Sequence, residues 1–487
     1  MFDLPLLGLG HLVLGSLLTY DILMFKHRPV SAVLWLGLVW GFPYAGPILY
    51  LTFGMDRIRR GARSREAAAT LVAQRAMAHP TAERLAAEHP ERRHALYQQH
   101  PAERILRATD RVARSYWLVQ GNQVRLLVDG DEFYPQLLAA IDDARESVHL
   151  QTFIFARDDF GWELLDHLTA RARAGVTVRL LYDRFGSSPA FFTRMFAKAR
   201  RAGVRAHSIS QANPLKGRFQ INLRNHRKVS VMDGRLAFMG GINLSGENLS
   251  RSTQGAPIRD YHFRLEGPAV ADLQLQFLQD WYYATREPLD GIFASPVFPR
   301  LENRGAALVK ALPGGPVVHG RGLDDAFFAL LVAADSSLKI TTPYFVPDEP
   351  IVEAIRSAAL KGVEVDLVVP QKNNHWFAGA ASRSLYAPLL SVGVRIHERH
   401  PPFMHAKALV VDDLVGFIGS ANLDYRSLHL NFETNMQVAD RDFVRTLSAQ
   451  IDREIAASTR ITREGHRARP VSRRLLENFC FLFQPLL

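Results

Sequence analysis

Residues 224–245 read RNHRKVSVMDGRLAFMGGINLS, and residues 404–424 read MHAKALVVDDLVGFIGSANLD. His226, Lys228, Asp233, Gly240 and Asn243 in the first stretch keep the spacings of His405, Lys407, Asp412, Gly419 and Asn422 in the second. VSV and ALVV read as short buried strands. Side chains two apart on an extended chain share a face, so His226 and Lys228 point one way, and His405 and Lys407 likewise. Asp233-Gly234 and Asp412-Asp413 predict turns into a second strand. Gly240, Gly241, Gly419 and Ser420 keep the floor low, so that an anionic group can approach backbone and Asn side chain. Each copy offers an imidazole, an ammonium and an amide on a common surface, and two copies face to face surround one tetrahedral anion. A zinc site does not fit: the only cysteine is Cys480, and each lysine puts a cation beside any would-be ligand. No metal and no other cofactor is expected.

The repetition is larger than the signature. From Gln123 the pattern runs VRLLV, DGDEFYPQLLAAIDDA, VHLQTFIF, GWELLDHLTARARAG and VTVRLLYD, strand alternating with helix. Near Arg321 a second series, LDDAFFALLVAA, LKITTPYFV, PIVEAIRSAALKG and VEVDLVVP, follows the same order. Gly175-Val176 and Gly362-Val363 stand at the same joint in each. Such alternation predicts an α/β domain with a largely buried sheet, present twice. The halves are expected to pack as pseudo-twofold partners, because either alone holds only half of the chemical groups.

Two imidazoles and several cations around a phosphate suit phosphodiester exchange by nucleophilic catalysis. One neutral imidazole attacks phosphorus; the other, protonated, gives its proton to the departing alkoxide and later takes one from the incoming alcohol. Lys228, Lys407, Asn243 and Asn422 are expected to hold the non-bridging oxygens. Each imidazole needs an acceptor on its other nitrogen, and Asp260 and Glu433, which follow the two signatures, are the candidates. Asp233 and Asp412 complete the catalytic signature, with a structural or supporting part expected. Gln151 and Tyr344 are expected at matching strand positions lining the site. Leu475–Leu487, rich in Phe and Leu, either helps form an apolar mouth or packs as terminal core, the second being slightly favoured.

The two copies resemble the HxKxxxxD motifs of the phospholipase D superfamily. The resemblance covers nearly the whole chain and is strongest toward bacterial cardiolipin synthases, through NHRKVSVMDG, GGINL, RDYHFRLEGPAV, PYFVPDE, GSANLDYRS and LNFETN. It implies a cytoplasmic-side phosphatidyltransferase. One phosphatidylglycerol would load its phosphatidyl group on a histidine, and a second would accept it, giving cardiolipin and glycerol. It also implies His226 as nucleophile and His405 as acid and base, which the residues themselves leave interchangeable. A hydrolytic phospholipase D or another membrane-tethered phosphodiesterase uses the same groups. Phospholipid and an anionic membrane are the expected partners, and nucleic acid is not.

The chain has 487 residues, with 59 Lys and Arg against 48 Asp and Glu, a net charge of +11. Such an excess favours anionic partners. A single cysteine excludes an intramolecular disulfide framework. Leu4–Tyr20 is mostly apolar, and Val30–Gly54 has no charged residue, long enough to cross a hydrocarbon core of about 30 Å. RPVSAVLWLGLVWGFPYAGPILYLTFG, residues 28–54, also resembles the second membrane helix of cardiolipin synthases. Pro43 and Pro47 predict a kink there. The basic start and small-residue cleavage site of a signal peptide are missing. Arg57, Arg59, Arg60, Arg63 and Arg65 outnumber Lys26, His27 and Arg28 in the intervening turn, which places the larger cluster and the globular body on the cytoplasmic side. Those arginines are expected on anionic headgroups, worth roughly 1 kcal/mol each. His79-Pro80, His89-Pro90 and His100-Pro101 punctuate a stretch read as broken short helices.

The expected architecture is α/β. Two duplicated phospholipase D-like α-β-α domains (119–300 and 301–487) pack as a pseudo-twofold pair. An N-terminal transmembrane helical hairpin (1–55) and a basic, helical linker (56–118) precede them. The expected location is the bacterial inner membrane, multi-pass.

Overall fold

The computed structural model describes residues 4–26, 29–54, 58–78, 100–112, 116–209, 212–213, 218–219, 224–251, 257–294, 297–316 and 322–484. The chain divides into two compact units, residues 1–61 and 62–487.

In the first unit the apolar stretches form helices, but their lengths reverse the expectation. The first is one unbroken helix, Leu4–Phe25, and it contains the window long and apolar enough to cross a membrane. It runs through Asp21, whose carboxylate accepts from the Tyr50 hydroxyl at 2.6 Å. A lone carboxylate in an apolar span would be costly. The second stretch breaks as its prolines predict, into Pro29–Gly41, Ala45–Leu49 and a π-turn Tyr50–Gly54. Leu18, Ile22, Val39 and Tyr50 pack the segments together.

The second unit is built on a 15-stranded sheet. At its centre Val119–Val128 pairs antiparallel with Ala307–Ala311 on one side and Tyr261–Glu266 on the other. Outward in the first half come Leu236–Gly240, Val229–Met232, Ser147–Thr152, Thr177–Tyr182 and Arg205–Ser208. Outward in the second half come Asn435–Ala439, Val415–Gly419, Ala408–Val411, Ser337–Thr341, Glu364–Pro370 and Arg395–Arg399, with Ser458–Ile461 at the edge. The order is the same in both halves, so a pseudo-twofold relates them about the central antiparallel pair. In each half the outer three strands of the duplicated set are parallel, joined by the helices read from the sequence, Asp159–Arg173 and Glu349–Leu360. Both helices end in a glycine with left-handed backbone, Gly175 (φ 90°) and Gly362 (φ 92°), which is why the same Gly-Val joint recurs.

Inner strands carry apolar residues on both faces, as a sheet covered on both sides requires. One apolar cluster contains Val231, Met239 and Phe263 of the first half with Val410, Ile418 and Val438 of the second, so the halves share a core.

The linker is partly as read. Ile58–Met77 is one helix that stops just before the first His-Pro pair, and its Val72 and Ala76 pack with Phe277 and Trp281. Arg65 is not a headgroup contact. It is buried, its guanidinium stacks 3.4 Å from the Phe432 ring centroid, and its Nε donates to Asp280 at 3.0 Å. Arg227 Nη1 and Gln151 Nε2 reach the other oxygen of Asp280 at 2.8 and 2.6 Å. The side chains of Arg57, Arg59, Arg60 and Arg63 and the His79-Pro80 and His89-Pro90 pairs lie outside the described residues. His100 accepts the Ala102 N–H at 3.1 Å, ahead of the helix Glu103–Arg107.

Asp280 is thus the shared counter-charge of two buried arginines. Asp280→Asn strands both, and should cost about 3–5 kcal/mol of stability. Unfolding of the detergent-solubilised protein is the check, and an unchanged transition would contradict the shared-carboxylate reading.

Candidate active site

His226 and His405 precede their strands, and each is fixed by the other half. The His226 N–H donates to the Phe432 carbonyl at 2.9 Å, beside a parallel bridge from Asn225 to Phe432. Its Nδ1 lies 3.0 Å from both carboxylate oxygens of Glu433. Symmetrically, the His405 N–H donates to the Arg259 carbonyl at 2.7 Å, where Phe403–Met404 pairs with Ile258–Arg259. Its Nδ1 lies 2.6 Å from Asp260 Oδ2. The pairing is crossed: each imidazole takes its carboxylate from the opposite half. With Nδ1 so engaged, Nε2 is the nitrogen left for chemistry on each ring.

The two carboxylates are held differently. Ser420 Oγ donates to Glu433 Oε2 at 2.5 Å. In the first half the matching residue is Gly241, where a Cβ would collide with the Asp260 carboxylate. The shorter acid sits where its neighbour has no side chain.

Both lysines lie behind the imidazoles, nearly inaccessible. Lys228 Nζ donates to the His226 carbonyl at 2.8 Å, and Lys407 Nζ to the His405 carbonyl. Lys407 Nζ is also 3.6 Å from Asp260 Oδ2. Burial drives Lys228 down to about 7 and Lys407 to about 8, against the pull of Glu433 and Asp260. It also lowers His226, and takes His405 to about 4 with Lys407 adding to the effect. Burial would raise Asp260 and Glu433, but the cations and hydrogen bonds around them win and hold both below the ordinary carboxylate range. The resting site therefore pairs two carboxylates with two ammoniums around two neutral imidazoles.

His226 and His405 line one cavity of about 590 Å³. Asn243 and Asn422 line it too. Asn243 Oδ1 accepts the Ile154 N–H at 3.2 Å, and Asn422 uses one amide N–H on Asp424 at 2.9 Å. Phe153, Tyr344, Phe377 and Phe403 supply apolar wall. The Tyr344 ring stands edge-on to His405 with centroids 6.1 Å apart, and the Phe153 ring edge-on to His226 at 5.2 Å.

Two sequence readings need correction, and the supporting part expected of the signature aspartates takes definite form. Gln151 does not match Tyr344: strand register aligns it with Thr341, and it serves Asp280 away from the cavity lining. Asp233 and Asp412 also lie outside that lining. Both sit in left-handed turns, at φ 51° and 55°. Asp233 accepts the N–H groups of Arg145, Glu146 and Ser147 at 2.8–2.9 Å. Asp412 does the same for Asp335, Ser336 and Ser337. Short acids suit such a turn because their carboxylates reach nearby amides. Finally, the helix Val471–Phe481 is not simply terminal core. Cys480 packs with Val346, Ala380 and Ala381, while Leu475, Phe479 and Leu482 are exposed.

Sequence reasoning missed Asp424, Arg224 and Arg426 in the lining. Asp424 is buried, and burial raises its carboxyl, opposed by the Ser427 N–H and Asn422. Comparison of the copies hid it because Ser245 stands at that place in the first. For metal binding, the described residues bring Asp324, Asp348 and His429 within 4.8 Å, outside the cavity lining. The signature histidines, each beside a carboxylate and an ammonium, form a poor metal donor set.

Paired His-Lys-Asn half-sites on a duplicated α/β sheet define a phospholipase D-like phosphodiester-transfer centre. The family model described as cardiolipin synthase, PLD-like domain, matches residues 137–281 and 327–455, and a phospholipase D-nuclease N-terminal model matches 13–54. A cardiolipin synthase of Geobacillus kaustophilus is 34% identical over 99% of this chain and 94% of its own. A cardiolipin synthase A of Pseudomonas aeruginosa is 35% identical over 96% and 92%. The crystal structure of a phosphatidylserine synthase from Haemophilus influenzae shares the fold, with a TM-score of 0.59 at 16% identity, covering 78% of this chain and all of that one. The chain belongs to the cardiolipin synthase family of phospholipase D-like phospholipid transferases.

The turn aspartates have a role separable from chemistry. Asp412→Ala removes an acceptor of several amides and should cost about 1.5–3 kcal/mol, with Asp412→Asn milder because Asn tolerates the left-handed backbone. Turnover per folded molecule should stay near wild type. A collapse of turnover without loss of thermal stability would place this residue in the chemistry instead.

Proposed function

We propose that the protein transfers a phosphatidyl group from one phosphatidylglycerol to another, releasing glycerol and forming cardiolipin through a phosphohistidine. The observation that carries this reading is the crossed pair of imidazole–carboxylate contacts lining one cavity. His226 is assigned as nucleophile and His405 as acid and base, with Glu433 and Asp260 orienting them. His226 Nε2 attacks phosphorus as the bond from phosphorus to the glycerol oxygen breaks, and the proton on His405 passes to that oxygen. The hydroxyl of a second phosphatidylglycerol then gives its proton to His405, and its oxygen bonds to phosphorus as the N–P bond breaks.

The charge balance supports this order. Below about pH 7, where both lysines carry charge, two ammoniums and two carboxylates leave the resting centre without excess charge. An anionic phosphodiester entering it favours protonation of its neighbours, which supplies the imidazolium required for the departing alkoxide. Lys228, Lys407, Asn243 and Asn422 are assigned to the non-bridging oxygens, the lysines acting from behind the rings. Apolar walls disfavour water as acceptor. The reading keeps the four-part division 1–55, 56–118, 119–300 and 301–487. It places the protein in the bacterial inner membrane as a multi-pass protein, with the catalytic body cytoplasmic.

Purified protein incubated with phosphatidylglycerol alone should yield cardiolipin and glycerol; phosphatidic acid without cardiolipin would identify a hydrolase. His226→Ala should abolish turnover yet leave vesicle binding intact, and unaltered turnover would refute the mechanism.

Titration provides a second test. A lysine whose affinity for protons is lowered carries charge only below its lowered value, so Lys228 loses charge above about 7 and Lys407 above about 8. The phosphodiester stays anionic throughout. The kcat/KM for phosphatidylglycerol should therefore fall as pH rises through 7–8, well below the ordinary lysine range. A profile flat to about pH 10, the unperturbed lysine value, would show that these ammoniums are not needed.

A further inference from the structure

The centre of the cavity obeys the pseudo-twofold, but its two rims do not. Aligning His226 with His405 and Asn243 with Asn422 places Arg224 opposite Phe403, and Arg426 opposite Glu247. The cross-half backbone pairs, Asn225 with Phe432 and Met404 with Arg259, place Asn431 opposite Ile258. All six line the cavity. One rim therefore presents two guanidiniums and an amide, with the Asp424 carboxylate among them, where its mate presents a phenyl ring, a carboxylate, an alkyl chain and the Ser245 hydroxyl.

The basic rim is assembled across the halves, since Arg224 precedes the first signature and Arg426 follows the second. Arg224 is held with its guanidinium 4.1 Å from the ring centroid of Phe185, itself 65% exposed. Such stacking presents a guanidinium while leaving its donors available for an anion. Burial lowers the basicity of Arg224; Asp183 opposes this and Arg426 adds to it, so the two guanidiniums stand close together, with Asp183 near the first and Asp424 near the second. A phosphodiester in the cavity would add the planar, paired acceptor that guanidiniums bind best. Asn431 is over nine-tenths buried, and its Oδ1 has no hydrogen-bond partner among the described residues. It is an acceptor suited to a hydroxyl.

The reaction requires this kind of site. The donor's phosphorus must lie between the imidazoles, where the imidazolium that its arrival favours balances its charge. A second phosphatidylglycerol brings another negative charge, one glycerol away from the first, next to an intermediate that is itself anionic. The central groups hold no cation to spare for it.

We propose that Arg224, Arg426 and Asn431 form the acceptor subsite, the arginines binding the phosphodiester of the incoming lipid and Asn431 a hydroxyl of its glycerol. The rim thereby selects an anionic glycerophospholipid as the second substrate. This rests on the cardiolipin-forming reading and adds the basis of acceptor choice. In the transfer step the glycerol hydroxyl of the lipid held there loses its proton to His405 and bonds to phosphorus as the His226 N–P bond breaks.

Free glycerol tests the assignment, because it must be able to reverse the loading step without needing a phosphate subsite. Full-length protein in phosphatidylglycerol vesicles with labelled glycerol reports two products: cardiolipin, and phosphatidylglycerol carrying the label. For Arg224→Met, Arg426→Met and the double variant, the ratio of cardiolipin formed to glycerol exchanged should fall about tenfold or more per arginine. Arg224→Lys, which keeps the charge but not the fork, should fall less. An unchanged ratio, whether both products persist or both decline together, overturns the subsite, because the arginines then serve the donor, the fold or nothing. Wild-type protein that exchanges glycerol but forms no cardiolipin refutes the cardiolipin-forming reading itself, a result distinct from a change in the variants' ratio.

Discussion

Neither half of this molecule can complete its own imidazole. His226 is oriented by Glu433 and His405 by Asp260, and in both cases the backbone N–H of the same histidine is bonded across to the partner half. Charged hydrogen bonds of this kind contribute about 1.5–3 kcal/mol each, too little to hold two domains of this size together. The halves are held by the central antiparallel pair of strands and the apolar cluster drawn from both. The crossed contacts set the geometry within an interface that burial maintains. That division has a consequence for the chemistry: the orientation of each ring depends on the relative position of the halves, so the catalytic geometry and the interface are one property.

The same arrangement governs charge. A buried ammonium is costly alone, and so is a buried carboxylate. Placed together around the rings they partly offset one another, yet burial still leaves the lysines strong enough acids, near 7 and 8, to feel the arrival of substrate. An imidazole with the proton affinity found for His405, near 4 in the resting site, is almost wholly neutral near neutral pH. The negative phosphodiester is what makes its protonated form accessible. In the proposed mechanism, substrate binding and activation of the acid are thereby coupled through electrostatics, without a moving part.

Much of this was legible in the sequence, because duplication supplied a built-in comparison. Identical spacings in two places marked His226, Lys228, Asn243 and their mates, and the strand–helix alternation around them fixed the sheet. Asp260 and Glu433 were found as acids following each signature, but their crossing was not, since a spacing carries no information about which half a side chain faces. The comparison also misled where the copies differ. Asp424 was hidden by Ser245, and Gln151 was aligned three residues out of step with its true mate because both strands are apolar and offer several plausible registers. Arg65 read as one of a surface cluster; its burial depends on Asp280, more than two hundred residues away in the chain. The break in the second apolar helix followed from Pro43 and Pro47, whereas the partner that Asp21 finds in Tyr50 lies in the other stretch and no local pattern shows it.

In the proposed reaction, loading and transfer are nearly the same step run in opposite directions, since the departing and incoming alcohols are both glycerol hydroxyls on the same phosphorus. One acid–base imidazole can therefore serve both, and a pseudosymmetric centre is well matched to the task. What it cannot do is tell the two directions apart, or exclude water, which presents the same kind of nucleophilic oxygen. Those distinctions must come from surfaces away from phosphorus, where the halves are free to diverge. That is where the differences lie: Ser420 against Gly241 under the carboxylates, Asp424 against Ser245 beside the asparagines, and aromatic walls contributed unequally by Phe153, Tyr344, Phe377 and Phe403. Duplication built the bond-making centre, and departure from it around the cavity is the only physical source of selectivity such a centre can have.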